Sequence, residues 1–210
     1  LPRLARAQAD ASSVRAGLKL SPTSMDPHFR LSGEQNLLRA VHARLVGMSA
    51  DGKPEPGIAE SWRPVNDGMA WEFKVRANAK FSDGSPITAE DVAYSIARVP
   101  TIEGSAGAYH IFVRAIARTE VKDARTILLH TASPYPFMVE DMTEVAVISK
   151  ALGPSLRTAD FNSQAVKIFS GPYTLADYRF GEFVSMQRNP HWFGTRPTFD
   201  NAYFKVIAAD

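Results

Sequence analysis

The chain contains no cysteine, which excludes disulfide bonds, thiolate metal sites and cysteine nucleophiles among its 210 residues. It also has no apolar run near the roughly 20 residues that a membrane-spanning helix requires. Neither sign of charge dominates, because 24 lysines and arginines stand against 22 aspartates and glutamates, for a net charge of +2. Without a cluster of basic residues this small excess does not indicate a nucleic-acid partner, and we expect none.

Motifs of reactive sites are lacking too. No G-x-S-x-G elbow, Walker loop or G-x-G-x-x-G occurs in the sequence. The adjacent acids Glu90 and Asp91 would project about 100° apart on a helix, which makes them poor partners for acid–base catalysis. The five histidines show no metal-ligand spacing. The sequence therefore predicts no catalytic centre, no metal site and no cofactor.

The strongest positive signals lie between residues 56 and 99. From Trp71 to Val75 apolar and charged residues alternate, and this period of two predicts a strand with one buried face. The preceding Asn66-Asp67-Gly68 supplies residues that tolerate positive φ. The run around Trp62 is therefore predicted to fold back on this strand as a hairpin.

Cap and periodicity signals predict the remaining elements. Thr88 at an N-cap, with acids in the following turn, predicts a helix that carries Val92 and Ile96 on one face. A second helix is predicted after Ser32, with Leu38, Val41 and Leu45 on one side. Further strands are predicted at 14–20, 111–121, 126–130, 145–148, 173–178, 183–188 and 202–208, a short helix at 137–142, and a loop that can include one turn of helix at 152–162. The predicted core aromatic residues are Trp62, Trp71, Phe73, Phe81 and Trp192.

Several of these motifs occur in an order that resembles one protein family. They are Leu18 to His28 (LKLSPTSMDPH), Pro56 to Trp62 (PGIAESW), Lys80 to Pro86 (KFSDGSP), Thr88 to Val92 (TAEDV), Gly171-Pro172-Tyr173, and Arg188-Asn189-Pro190 with Trp192. Together they resemble the extracytoplasmic solute-binding proteins of peptide- and nickel-type ABC importers (family 5, dipeptide/oligopeptide-binding-like). Matches in order over about nine-tenths of the chain are more specific than any single short motif.

The resemblance implies an α/β fold of the periplasmic binding protein type (type II, cluster C), in which two lobes close over a ligand. It implies that this chain corresponds to lobe I, a mixed β-sheet with a smaller hairpin-rich subdomain, and that lobe II is absent. Residues 10–45 and 166–210 would form the main subdomain and 46–165 the smaller one. Residues 1–9 would be the tail of a signal peptide, since Ala7-Gln8-Ala9 resembles a signal-peptidase site.

Ligand contacts are also implied by the resemblance. They are Leu31, Ser32, Gly33, Tyr109, His110, Thr143 and Glu144. In relatives the first three positions run along the ligand and hold it through main-chain groups, a mode that suits a binder that does not depend on the ligand's side chains. From the residues alone, Ser32 is equally explained as a helix N-cap, and Tyr109 as a ring that covers its own loop.

The function that the resemblance implies is capture of a small solute, peptide-like or other, in the periplasm and its delivery to the permease of an ABC importer, without catalysis. The protein would be exported, soluble and free of a lipid anchor, and monomeric when full length. Two alternatives remain open at this point. The same fold could serve as a ligand-binding sensor that docks on a receptor. The other alternative is an exported hydrolase, although no motif in the sequence supports it.

Overall fold

The computed structural model describes residues 12–29, 35–104 and 109–207, which form ten strands and four α-helices. The strands are β1 (Ser13–Leu18), β2 (Val46–Met48), β3 (Pro54–Pro56), β4 (Ala59–Val65), β5 (Ala70–Val75), β6 (Ile116–Asp123), β7 (Thr126–Thr131), β8 (Tyr173–Arg179), β9 (Phe183–Arg188) and β10 (Asn201–Val206). The helices are α1 (Gln35–Val41), α2 (Ala89–Arg98), α3 (Met138–Met142) and α4 (Thr158–Asn162). None of the helices in these ranges combines the length and hydrophobicity needed to cross a bilayer.

One four-stranded sheet, which we call the hairpin sheet, has the order β4-β5-β7-β6 and is antiparallel throughout. Trp62 pairs with Phe73 across its first hairpin. The turn between these strands has φ values of 51° at Asn66, 54° at Asp67 and 81° at Gly68. Asparagine, aspartate and glycine tolerate this left-handed region best, so the turn signal in the sequence correctly predicted the hairpin.

The second four-stranded sheet joins the two ends of the described chain, and we call it the end-joined sheet. Its order is β1-β10-β9-β8. β1 runs parallel to β10, with Ser13 opposite Asn201 and Leu18 opposite Val206, whereas β9 pairs antiparallel with both β10 and β8. The predicted α/β class with a mixed β-sheet is therefore confirmed.

Each sheet packs against its own hydrophobic cluster. In the hairpin cluster, Phe73 and Phe81 are fully buried, as predicted. The three predicted core tryptophans, Trp62, Trp71 and Trp192, are only partly buried at its edge. Large indole rings are seldom completely enclosed, and Trp71 keeps its indole N–H within 3.0 Å of the Tyr135 carbonyl.

Two predicted elements differ from the structure. Residues 145–148 do not form a strand, because only Ala146 makes a bridge, opposite Arg44. The Leu45 amide donates to the Val145 carbonyl at 3.0 Å, but the partner segment is too short and irregular for a ladder. Helix α1 ends at Val41, so Leu45, predicted on its apolar face, is buried beyond its end.

Helix α2 begins where the Thr88 signal predicted. The Asp91 carboxylate accepts the Thr88 amide and the Thr88 hydroxyl, both at 2.8 Å. Its other oxygen accepts the Lys150 amide at 2.9 Å, which ties the helix start to a distant loop. At the opposite end of α2, Arg98 is buried. The helix therefore places one guanidinium group inside the protein, next to the candidate site.

Candidate functional site

The seven predicted contact residues fall into three segments, of which two are described. Leu31, Ser32 and Gly33 lie outside the described residues. Tyr109 begins a short 3₁₀ turn, Tyr109–Phe112, in which His110 is exposed. The third segment directly follows α3.

Tyr109 and Glu144, 35 residues apart in sequence, are brought together by the fold. The Tyr109 ring is buried and its hydroxyl donates to the Glu144 main-chain carbonyl. Burial raises the pKa of the Tyr109 phenol, so the group stays protonated and remains a hydrogen-bond donor. The ring packs edge-on against Phe112 at 5.4 Å between centroids. Tyr109 thus covers its own loop, as one of the two sequence interpretations held, and also anchors the neighbouring segment.

Thr143 contributes its main chain rather than its side chain. Its side chain is buried and the hydroxyl donates to the Glu140 carbonyl at 2.7 Å. The Thr143 carbonyl accepts a hydrogen bond from Arg39 Nη1 at 3.0 Å. The Thr143 hydroxyl could donate to a ligand only if its bond to the Glu140 carbonyl were broken.

Arg39 lies beside Tyr109, Thr143 and Glu144, and we call the surface formed by these residues and His110 the candidate face. No signal in the sequence points to Arg39. It stands in the last turn of α1, and its Nη2 donates to Glu144 Oε1 at 2.6 Å. The two side chains are 28% and 24% exposed, so the ion pair is half-buried with one side open to solvent. No spacing rule links positions 105 residues apart, and only the fold reveals the pair.

A buried polar cluster, formed by Asp26, His28 and Arg98, lies beneath this face. Arg98 pairs with the Asp26 carboxylate in a two-point contact, Nη1 to Oδ1 at 2.8 Å and Nη2 to Oδ2 at 2.6 Å. The side chains are 5% and 0% exposed. Thr158 adds a hydroxyl donor to Asp26 Oδ2 at 2.7 Å, and the His28 amide donates to Oδ1 at 3.0 Å. The carboxylate therefore accepts four hydrogen bonds.

The hydrogen bonds also fix the tautomer of His28. Its Nε2 lies 2.9 Å from the Ala146 carbonyl, which can only accept, so Nε2 carries the proton. Nδ1, 3.1 Å from Arg98 Nη1, must then be the acceptor. Burial lowers the pKa of His28 to about 4, against the opposing charge of Asp26. Burial alone would raise the pKa of Asp26, but the hydrogen bonds and charge of Arg98 outweigh it and hold that pKa below its ordinary value.

A further guanidinium group, that of Arg44, is buried behind the face. Its Nη1 donates to the His42 carbonyl at 3.0 Å. Burial lowers the pKa of the Arg44 guanidinium. Interaction with Tyr109 raises this pKa, the charge of Arg39 lowers it further, and the charge of Glu144 raises it. Two arginines thus act on the one carboxylate of Glu144, and the local balance of these three side chains is positive.

Three surface cavities in the described part of the chain are lined by none of the predicted contact residues. One, of about 500 Å³, lies beside the loop after β9. A second, of about 470 Å³, lies beside the start of α2. The third, of about 620 Å³, lies between the end of α2 and α4 and includes Thr158, which links it to the buried cluster. Within residues 12–29, 35–104 and 109–207, no group of three or more histidines or carboxylates is placed to hold a metal ion.

The described part of the chain is thus a mixed α/β domain whose candidate face carries one half-exposed ion pair, Arg39–Glu144. The chain belongs to the bacterial extracellular solute-binding proteins, family 5, since the model of that family's middle region matches residues 53–210. The resemblance to family 5 that the motifs indicated is therefore confirmed. Proteins of this family are binding and transport proteins rather than enzymes.

Relatives with known names agree with this assignment. The periplasmic oligopeptide-binding protein OppA of Haemophilus influenzae is 28% identical over 206 residues, covering 89% of this chain and 38% of its own length. The nickel-binding periplasmic protein of Escherichia coli is 27% identical over 188 residues, covering 87% and 35%. The crystal structure of H. influenzae OppA in complex with RPPGFSPFR has the same fold, with a TM-score of 0.82 at 24% identity, covering 94% of this chain and 42% of that one. The chain thus spans roughly two fifths of the length of the relatives it matches.

Proposed function

We propose that this chain is lobe I of a periplasmic solute receptor that captures a small, peptide-like solute and delivers it to the permease of an ABC importer without chemical change. Membership of family 5 carries this proposal. The similarity to an oligopeptide-binding protein and to a nickel-binding protein supports peptides first and metal chelates second. We further propose that the protein is periplasmic, and that the full-length protein is monomeric.

The proposed division into subdomains follows the resemblance. Residues 10–45 and 166–210 would be the main subdomain, and 46–165 the smaller one. The end-joined sheet, with β1 parallel to β10, supports a main subdomain built from both ends of the chain. The hairpin sheet between them supports a separate hairpin-rich unit.

The proposed ligand site comprises the main chain of Leu31, Ser32 and Gly33 together with the face around Tyr109, His110, Thr143 and Glu144. Half-burial of the Arg39–Glu144 pair supports a site there, because a partly desolvated ion pair interacts more strongly with a charged ligand than a fully exposed one. Main-chain groups would align an extended ligand, and the ion pair would meet its charged groups. Ligand would favour a closed form only through its greater affinity for that form.

A thermal-shift screen of the full-length protein, which would include both lobes, tests this function. The panel is alanine peptides of two to five residues, together with nickel mixed with histidine. A ligand at about a hundred times its Kd adds about 2.7 kcal/mol to the free energy of unfolding, which raises the melting temperature. We expect at least one peptide to do so, and mass spectrometry to recover it unchanged.

Matched variants locate the site. Glu144→Gln keeps the shape and removes the charge, and we expect it to weaken binding of the best peptide in the panel. Glu182→Gln, in an exposed turn where Glu182 meets Arg179 at 3.8 Å, is the control and should leave the affinity unchanged. Absence of any shift across the panel would contradict the proposed function, and a chemically altered peptide would contradict the absence of catalysis.

A further inference from the structure

Arg39 is held at the candidate face while part of its guanidinium group is still available for bonding. A guanidinium group carries five N–H donors and no acceptor. Within the described part of the chain, two of these donors have partners, since Nη1 donates to the Thr143 carbonyl at 3.0 Å and Nη2 to Glu144 Oε1 at 2.6 Å. Three N–H groups therefore remain for a further acceptor, and a side chain that is 28% exposed can be reached by a solute.

Contacts on two sides fix the position of this guanidinium group. Arg39 stands in the last turn of α1, whereas Thr143 and Glu144 directly follow α3. The Glu144 main chain is itself held, because its carbonyl accepts the Tyr109 hydroxyl and its amide donates to the Asp141 carbonyl at 3.0 Å. A long side chain that is already fixed loses less conformational entropy when it binds a ligand. Arg39 is therefore preorganised as a hydrogen-bond donor.

The charges around Arg39 favour an anion over a cation. Arg39 and Glu144 offset each other, and the Arg44 guanidinium adds a positive charge that interacts with both. Arg44 is buried, so it makes the local potential more positive without contacting a solute at the surface. Charges in and near the protein interior interact more strongly than charges in bulk water. An approaching carboxylate is therefore attracted to Arg39, whereas an ammonium group is repelled.

We propose that Arg39 recognises a carboxylate group of the solute, and that Glu144 is a positioning residue that holds Arg39 in place. A guanidinium group with free N–H donors matches a carboxylate in both charge and hydrogen bonding. The carboxylate has two possible sources, the C-terminus of a peptide and an acidic side chain, and their chemistry is the same. This inference rests on the proposed function and narrows it to solutes that present a carboxylate to the candidate face.

The test measures the affinity of the full-length protein for matched pairs of peptides by calorimetry. The first pair is the alanine peptide, from two to five residues long, that binds the wild type most tightly, and the same peptide with a C-terminal amide. The second pair is that peptide with its second residue replaced by glutamate or by glutamine. In each pair the selectivity is the ratio of the two dissociation constants. We expect a selectivity of at least about tenfold in one of the pairs, which identifies the source of the carboxylate.

The variant Arg39→Gln locates the contact with the carboxylate. It removes the charge and keeps an amide that can donate to the Thr143 carbonyl, while Glu144, at 24% exposure, keeps its access to water. We expect the selectivity to fall below about twofold, whereas loss of a merely structural residue would weaken both members of a pair alike. The control is Arg63→Gln on the hairpin sheet, where Arg63 pairs with Glu72 at 2.8 Å. It changes the net charge equally and should keep the wild-type selectivity.

Equal affinity of the wild type for both members of each pair would overturn the inference and leave the proposed function standing. Wild-type selectivity in Arg39→Gln would overturn it as well. If that variant does not fold, Arg39→Lys decides, because one ammonium nitrogen does not reproduce the spread donors of a guanidinium group. The selectivity should then fall at least about threefold, and an unchanged value would overturn the inference. A wild-type protein that binds no alanine peptide removes the proposed peptide function together with this inference, so the two failures are distinguishable.

Discussion

The hairpin sheet and the end-joined sheet differ in how the chain assembles them. The four strands of the hairpin sheet come from one continuous stretch, residues 59–131, and each is hydrogen-bonded to a neighbour across a turn or a single excursion. The end-joined sheet pairs Ser13–Leu18 with Asn201–Val206, so its parallel contact closes almost the whole described chain. Closing a long loop is entropically more demanding than closing a hairpin. The hairpin sheet can obtain its register locally, whereas the end-joined sheet depends on everything between its strands.

The hydrophobic clusters of the two regions also differ in polarity. The interior of the hairpin cluster is formed by apolar side chains such as Phe73, Ile127 and Leu129. Beside the other cluster lie buried polar groups. His42 contacts Phe161 at 5.8 Å between centroids, and the Arg98 guanidinium lies 5.0 Å from the centroid of the same ring. The cluster beside the end-joined sheet is thus the more polar of the two, and its contribution to the free energy of unfolding should depend on pH.

The largest expected effect tests whether the two regions unfold independently. Phe73→Ala removes a fully buried ring from the hairpin cluster and should lower the free energy of unfolding by about 3–5 kcal/mol. Amide exchange should accelerate in β4, β5 and β7 more than in β8, β9 and β10, because only the first three lie in the hairpin sheet. Denaturant unfolding with exchange by mass spectrometry measures both.

Phe180→Ala is the matched control for this prediction, because that ring is 68% exposed and its loss should change the free energy by no more than about 0.5 kcal/mol. Equal acceleration in both sheets of the Phe73 variant would show that the clusters unfold as one cooperative unit. The two regions would then differ only in how the chain assembles their sheets.

The sequence predicted the hairpin sheet better than the end-joined sheet, for a physical reason. Alternation from Trp71 to Val75 and the Asn66-Asp67-Gly68 turn are local signals, and they sufficed for a hairpin. Individual strands of the end-joined sheet were found by their apolar runs, but nothing in residues 13–18 identifies 201–206 as a parallel neighbour. The family resemblance placed both ends of the chain in one subdomain, but it did not pair these two strands. Residues 145–148 were wrongly predicted as a strand because an apolar run does not show whether a partner strand exists.

The residues of the candidate site were harder to predict from the sequence than the strands. The motif that contains Asp26 and His28 was recognised, and the resemblance pointed to Tyr109 and Glu144. Neither Arg39 nor Arg98 was selected, because an arginine in the last turn of a helix is usually explained by the helix dipole. Their partners, Glu144 and Asp26, are 105 and 72 residues away. Contacts at such separations are products of the tertiary fold and leave no spacing in the sequence.

The second prediction tests the polarity contrast with acid. Burial, followed by the charge of Arg44, lowers the pKa of His42 to about 3, and burial lowers that of His28 to about 4. The unfolded histidines bind protons near pH 6.5. Between pH 6.5 and 4 the unfolded chain therefore holds more protons than the folded one. The free energy of unfolding should fall as pH falls, by up to about 1.4 kcal/mol per pH unit for each histidine.

His42→Phe should flatten this dependence by about half, because the new ring can pack against Phe161 and Phe169 without titrating. Chemical denaturation at a series of pH values between 7 and 4 measures the slope. Phe169→Leu disturbs the same contact without removing a titrating group, so it should lower stability at every pH and keep the slope. A slope in the His42 variant equal to that of the wild type would mean that His42 is not held neutral by burial.

The smallest expected effect concerns the helix that joins the two regions. Thr88→Ala removes the hydroxyl that bonds to the Asp91 carboxylate at 2.8 Å, and should reduce the free energy of unfolding by about 1 kcal/mol. Thr174→Ala, at a half-buried position on an edge strand, is the control and should have a smaller effect. Because Asp91 also accepts the Lys150 amide, the loosened carboxylate should raise amide exchange at Lys150 as well as in the first turn of α2. Loosening confined to α2 would show that the helix start is anchored locally, and that the hairpin region does not depend on the loop at Lys150.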